Sequence, residues 1–371
     1  MNSTLFWNKP PARDATRSVD PLGLDALREA MADRLVPLLT GATRNADEYL
    51  WTLIGLRWAR KETGTSIDAT VFNKGFSPFE RGLKQYWYKF HGRKSGGFNV
   101  VKKLCSQAQP DVYRPILVDQ RATGLLGNYI VSLRGMGLVQ KTSLAVVEDA
   151  ADRLLVDIKF TPPQNWKSSW DGISRAFSGI DLKSARRRLG RCLFDDGHSE
   201  MNRAARSVLR KPAASSWDRL GKADLDSEQA RLAAATKPIL AFEREALEAF
   251  RRMLRGEASL PQSMNKALRL LASAARDSDP FPSSWNAASA LRSSVSEALA
   301  SLARGRSPAD VLLRLHLAVT RDWRHSEPWL EHLGEAPIGL QNWHPGMEGR
   351  DFRFQNLKTL RRQTQWRPHG S

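Results

Sequence analysis

The sequence predicts a mainly α-helical protein in two parts: an N-terminal helical region that includes a winged-helix-like unit, then an irregular all-helical domain. Three observations predict it. Between residues 201 and 330 only Val208, Ile239, Val295, Val311 and Val319 are β-branched aliphatics, amid Ala, Leu, Arg and Ser, a composition that favours helix over sheet. Helix start and stop signals recur from Asp20 onward. The 371 residues, 41% hydrophobic and 26% charged, match a globular chain of two or three domains.

Taken in order, Asp20-Pro21 reads as an N-cap and first-turn proline. Leu24, Leu27, Met31, Leu35 and Leu38 follow at helical spacing, with Gly41 as a stop. Asn45 caps a second helix that carries Leu50, Leu53 and Ile54 ahead of Arg57, Arg60 and Lys61. Ser77-Pro78-Phe79-Glu80 has the form of a capping box. On the helix it opens, Phe79, Leu83, Tyr86 and Phe90 share one face, and Arg81, Lys84 and Tyr88 the other.

Residues 111–160 combine a short helix (111–119), a second helix (122–136), a turn at Gly137, the pair Leu138-Val139, a capped helix from Thr142-Ser143 to Leu154, and an apolar strand from Leu155 to Phe160. That order resembles a winged-helix or helix-turn-helix module. Thr161-Pro162-Pro163 then marks a junction, which gives a first domain over 1–160 and an all-helical domain over 161–325. Helices are expected near 181–193, 198–210, 226–235, 237–255, 261–276, 284–303 and 307–321, with loops at 211–222 and 277–284. Residues 326–371 form an aromatic, basic extension, with Trp329, Trp343, Phe352, Phe354 and Trp366 and, near its end, Arg361, Arg362 and Arg367. It is expected to pack back on the body.

Charge separates the functional classes. Lys and Arg total 57 against 39 Asp and Glu, a formal net charge of +18, well beyond what solubility needs, so a polyanionic partner is the first expectation. Residues 51–103 hold eleven cations and three acids. There Arg57, Arg60, Lys61, Lys74, Arg81, Lys84, Lys89, Arg93, Lys94, Lys102 and Lys103 interleave with Tyr88 and His91. Several cations on one surface neutralise phosphates with counterion release, and flanking aromatics stack on unpaired bases. A second stripe places Lys183, Arg187 and Arg191 at i, i+4 and i+8, with Arg188 beside them, a spacing able to track a phosphate backbone. In the winged-helix-like unit Thr123, Gly127, Asn128 and Arg134 face outward from the second helix, and a major-groove pose would put Arg121, Thr123, Asn128 and Arg134 near bases or phosphates. So few cations suit protein docking better than base reading.

Catalytic motifs are weaker. Asp157-Ile158-Lys159 on the expected strand has the D-x-K form of a metal-dependent nuclease, but Glu148, Asp149 and Asp152 fall on the preceding helix instead of a neighbouring strand. His325, His332 and His344 with Asp322, Glu327 and Glu331 crowd one region without zinc-ligand spacing, as do His198 and Glu200 near Asp195 and Asp196. No Walker, dinucleotide or nucleophile-elbow motif is present, so no cofactor is expected and any ATP use falls to a partner. Two cysteines, Cys105 and Cys192, form no disulfide framework. With neither a signal peptide nor a long apolar run in the sequence, the expectation is a soluble, cytoplasmic protein.

Two stretches carry a resemblance: Asp20-Pro-Leu-Gly-Leu-Asp-Ala-Leu-Arg through Leu38-Leu-Thr-Gly-Ala-Thr-Arg44 to Tyr49 and Trp51, and Arg121-Ala-Thr-Gly-Leu-Leu-Gly-Asn-Tyr through Leu133-Arg-Gly-Met-Gly-Leu-Val139. They resemble uncharacterised bacterial proteins encoded in phage-defence or mobile-element loci, often beside helicases or ATPases. The resemblance implies a multi-subunit system acting on invading DNA and transfers no catalytic residue. The expectation is therefore a non-catalytic DNA-binding subunit that docks a helicase, nuclease or ATPase partner. The alternatives are a metal-dependent nuclease, or a structural subunit meeting an acidic protein or RNA.

Overall fold

The computed structural model of the chain describes residues 20–24, 27, 39, 43, 45–164, 166–194, 227–277, 289–323, 328–333 and 352–367. It is mainly helical, and among the described residues the only β pairing is an isolated antiparallel bridge between Val139 and Val146. No helix among them is long and apolar enough to cross a membrane. The chain forms two compact units, neither contiguous in sequence: Met1–Leu35 joins Ala213–Asp351, and Val36–Pro212 joins Phe352–Ser371.

The second unit begins with α1 (Ala46–Thr63). As its sequence predicts, Asn45 caps it by accepting the Asp47 N–H at 3.0 Å, and Gly64 ends it in the left-handed region at φ 60°. A short turn (Asp68–Thr70) and a π-helical turn (Val71–Phe76) lead without a break into α2 (Ser77–His91). Ser77 consequently lies inside continuous helix and caps nothing. Its supposed capping-box partner, Glu80, serves another element: its Oε1 accepts the Leu125 N–H at 2.8 Å, at the first turn of α5 (Leu125–Gly135). This bond helps explain why the helix expected over 122–136 is split at Gly124 into α4 (Gln120–Thr123) and α5, since the carboxylate fixes a new helix start.

The other elements of this unit are α3 (Phe98–Cys105), α6 (Glu148–Leu155), α7 (Trp170–Ser178), α8 (Lys183–Phe194) and α13 (Phe352–Thr364). Residues 111–119, expected as a short helix, are turns and coil, and the helix expected from Thr142 starts only at Glu148. Arg134 accounts for the delay, because its guanidinium donates to the Gln140 and Ser143 carbonyls at 3.1 and 3.2 Å and holds that backbone in a loop. The expected strand from Leu155 to Phe160 is also absent. The end of α6 passes into coil, and Phe160 turns into an aromatic core with Trp51, Trp58, Phe79, Trp166 and Phe177 at centroid distances of 5.1 to 6.5 Å. Because Trp166 and Phe177 share that core, the chain crosses Thr161-Pro162-Pro163 without leaving the unit.

Close packing sets the helix positions. A methyl group on Gly55 would come within 2.5 Å of the Phe79 ring, so its absence lets α1 and α2 approach. Tyr49 and Tyr129 meet edge to face at 4.6 Å, and their hydroxyls donate to Ser132 Oγ and Glu48 Oε2. Burial pushes the Tyr49 phenol up to about 12, and burial together with the Glu48 carboxylate pushes Tyr129 up as well.

In the first unit, Leu22, Leu24 and Leu27 enter a core made by α9 (Ser227–Leu254), α10 (Gln262–Asp277), α11 (Ser289–Ala303) and α12 (Pro308–Leu317). The Asp20 carboxylate accepts the Leu24 N–H at 2.9 Å, in keeping with its expected capping role. Two helices expected on either side of Thr236 are one, and α9 runs through Pro238. The buried face that follows, with Ile239, Phe242, Ala246, Phe250 and Met253, outweighs the lost backbone hydrogen bond. His316 is fully buried, bridging the Pro21 carbonyl and the Trp329 N–H at 2.9 Å each. The expected helix at 198–210 and loop at 211–222 lie outside the described residues.

Candidate functional site

The basic, aromatic segment over 57–103 is largely committed to internal contacts. Arg57 pairs with Glu148 at 2.9 Å and Asp152 at 2.6 Å, tying α1 to α6. Lys84 is 3% exposed and bound to Glu80 at 2.8 Å. The outward face expected for α2 is therefore corrected, because Ser77–Pro78–Phe79–Glu80 and Gly82–Trp87 are buried on every side. Arg81 donates to the Tyr113 carbonyl at 2.6 Å, and burial lowers its pKa against the opposing pull of Glu80 and Asp111. Lys89 donates to the Cys105 carbonyl at 2.9 Å and lies over the Trp170 ring. Arg93 pairs with Glu48 and covers Trp87 at 3.9 Å, and Tyr88 packs edge-on against Phe98. Of the rest, Lys61, Lys74, Lys94, Lys102 and Lys103 are exposed and Arg60 is half-buried, spread over α1, the π turn, α3 and the loop before it.

In the segment expected to be winged-helix-like, Arg121 lies over Phe72 and Arg134 holds its loop, so neither is an unengaged reading side chain. The D-x-K motif falls in coil. Asp157 pairs with Arg188 at 2.8 Å, and Lys159 is exposed. Glu148 and Asp152 are taken by Arg57. Among the described residues no three His, Cys, Asp or Glu side chains gather where they could hold a metal. His325, His344, Glu327, Asp195, Asp196, His198 and Glu200 lie outside the described residues. Glu331 pairs with Arg321 at 2.9 Å, while Asp322 and His332 are exposed.

The expected stripe on α8 is present as a surface: Lys183, Arg187 and Arg191 are all exposed. The intervening cations have structural work. Arg186 binds Asp47 with both Nε and Nη2, and Arg188 donates to the Leu154 carbonyl at 2.8 Å besides holding Asp157. Leu189, Leu193 and Phe194 form the buried side of the helix.

What sequence reasoning missed is the partner of that stripe. Helix α13, some 160 residues downstream on the chain, packs against α8. A methyl group on Gly190 would meet Thr364 Cβ at 2.7 Å, so the two backbones approach closely there, and Trp366 stacks at a tilt on Phe194 at 5.0 Å. Between them lies an open cleft of about 780 Å³ lined by Arg187, Lys358, Arg361, Arg362, Gln365, Trp366 and Arg367. Five of these seven residues are cationic and none is acidic. Gln365 receives the Arg187 Nε–H at 3.2 Å, which fixes one guanidinium at the wall. The cations near the chain end were visible in the sequence, but their meeting with Arg187 is a tertiary fact.

Charge divides between the units just as unevenly. The second unit carries 34 Lys and Arg against 16 Asp and Glu, whereas the first carries 23 of each. The whole excess of +18 therefore belongs to the unit that holds the cleft. No protein-family model, curated protein or solved structure matches this chain.

Proposed function

We propose that this protein is a non-catalytic nucleic-acid-binding subunit, most simply a DNA-binding one, that grips the phosphate backbone with the α8/α13 cleft. The observation that carries the reading is the cleft itself, where five cations from two distant segments line one concavity. Such a surface attracts a polyanion by counterion release and reads no sequence. Lys183 and Arg191 extend it along α8. Exposed Lys61, Lys74, Lys94, Lys102 and Lys103 supply a diffuse field, which speeds encounter more than it fixes a pose.

Partner docking falls to the other parts of the chain. The first unit is electrically balanced and helical, as suits a protein interface. The winged-helix-like segment, with its Val139–Val146 bridge and few unengaged cations, suits the same role. A helicase, nuclease or ATPase in a bacterial defence system would supply the chemistry.

Fluorescence anisotropy with DNA at two salt concentrations tests the reading, using the wild type and an Arg362→Glu, Arg367→Glu double variant. Affinity should fall steeply with salt for the wild type. The variant should bind at least about tenfold more weakly and show a log–log salt slope shallower by about two. Wild-type binding that ignores salt, or a variant that binds unchanged, removes the proposal.

A further inference from the structure

Helix α8 has a second cleft on another side, of about 590 Å³, walled by the turn after α5, by α6 and by α8 itself. Its character differs from that of the phosphate cleft. Met136, Val147 and Ala150, above the buried Leu138 and Leu154, supply the apolar part of its lining, Arg188 and Cys192 stand beside them, and Gly135 and Gly137 lower the wall. Gly137 stands at φ 69° with nothing within 4 Å of where a Cβ would be, so the turn is both tight and open. At the rim stand the exposed guanidiniums of Arg153 and Arg191, neither of which meets a carboxylate among the described residues. Arg191 belongs to the same exposed stripe as Arg187, which lines the phosphate cleft.

A partly apolar slot edged by cations, on the same helix that walls a cleft whose charged residues are all cationic, asks for a ligand with flat apolar groups set beside regular negative charge. A single-stranded nucleic acid has this form, because each phosphate carries an unpaired base able to leave the stack. A duplex hides its bases. Guanidinium planes stack on bases, and thioether and aliphatic side chains pack on their faces. We infer, resting on the proposed polyanion-binding role of the α8/α13 cleft, that the protein binds single strands in preference to duplex, with an unpaired base seated in the slot between α6, α8 and the Gly137 turn. DNA and RNA share this chemistry, and both are arms of the test.

The experiment compares single-stranded DNA, single-stranded RNA, duplex DNA and a single strand whose central nucleotides are abasic, all of one length and at fixed salt, by anisotropy on the full chain. Wild type should bind one or both base-bearing single strands about tenfold more tightly than duplex, and the abasic strand, with its phosphates intact, should fall to the duplex level. Ala150→Trp fills the slot without changing charge. It should cancel the single-strand preference while leaving duplex affinity and salt slope intact, with far-UV circular dichroism to verify the fold. If wild type holds the abasic strand as tightly as the base-bearing one, or prefers duplex, the slot takes no base and the inference is overturned, although the phosphate cleft stands. If no nucleic acid binds in a salt-dependent way, the phosphate cleft fails first and the inference with it. The abasic comparison needs no variant, so a misfolded Ala150→Trp protein leaves the test decisive.

Discussion

Lys84 shows how a single side chain can carry two opposite readings. In the sequence it belongs to a run of cations, and a charge run is most simply a solvated face. In the fold it is the partner of a fully buried carboxylate, Glu80, which also accepts the Leu125 N–H. Removing one member of a buried pair strands the other charge, at a cost of about 3–5 kcal/mol. The Leu125 N–H and the dipole of α5 continue to serve Glu80, which puts the expected loss for Lys84→Ala near the lower end, about 3 kcal/mol. Urea denaturation should show this as a lowered midpoint, while Lys102→Ala, on an exposed lysine of α3, stays within about 0.5 kcal/mol of wild type. Equal stability for the two variants would mean that Lys84 is solvated after all. Burial alone separates these lysines, and in a helix packed on all sides no local pattern reveals it. Asn45 and Asp20 were legible because a cap is satisfied within four residues of itself. Glu80 was not, since its acceptor role is completed 45 residues away.

At the scale of the element, a helix is legible in the sequence where its own periodicity is strong, as for α1, α2, α8 and α10. It is not legible where tertiary contacts define it. Helix α7 is announced only by Ser169, whose Oγ accepts the Gly172 N–H, a few residues beyond the junction expected at Thr161-Pro162-Pro163. Helix α13 begins in a stretch rich in Gly and aromatics and holds its place by packing. Leu357, Leu360 and Thr364 are buried, and the last of these sits against Gly190 of α8. This close approach carries the cations of α13 to Arg187, so the proposed phosphate cleft depends on a residue that bears no charge. Gly190→Val should drive the helices apart, costing about 1–3 kcal/mol by overpacking. It should also weaken DNA binding several-fold with every cation still in place. Thermal melting together with anisotropy reads both effects. A variant that loses stability but keeps full affinity would show that the two helices need not be in register for the cleft to work.

For the whole molecule the decisive quantity is how +18 divides, and the sequence read linearly obscured it. The excess over residues 51–103 drew attention to one segment, yet many of those groups are spent on Glu48, Glu80, Glu148, Asp152 and backbone carbonyls. Regrouping the chain by what packs together leaves one unit with the entire excess and the other with none. Like charges confined to one unit raise the free energy of its compact state, and a polyanion relieves that repulsion while binding. A polyanion without bases should therefore stabilise the units unequally. In hydrogen exchange read by mass spectrometry, inorganic polyphosphate at low salt should slow exchange in peptides covering 183–194 and 352–367, the two helices of the cleft. Peptides covering 239–277 and 291–319, in the balanced unit, should exchange at their original rates. Polyphosphate carries charge and no flat apolar groups, so protection of 135–138 and 150–154 around the second cleft should require a base-bearing strand instead. Uniform protection across both units would mean that the charge acts as a general atmosphere and not through the α8/α13 cleft.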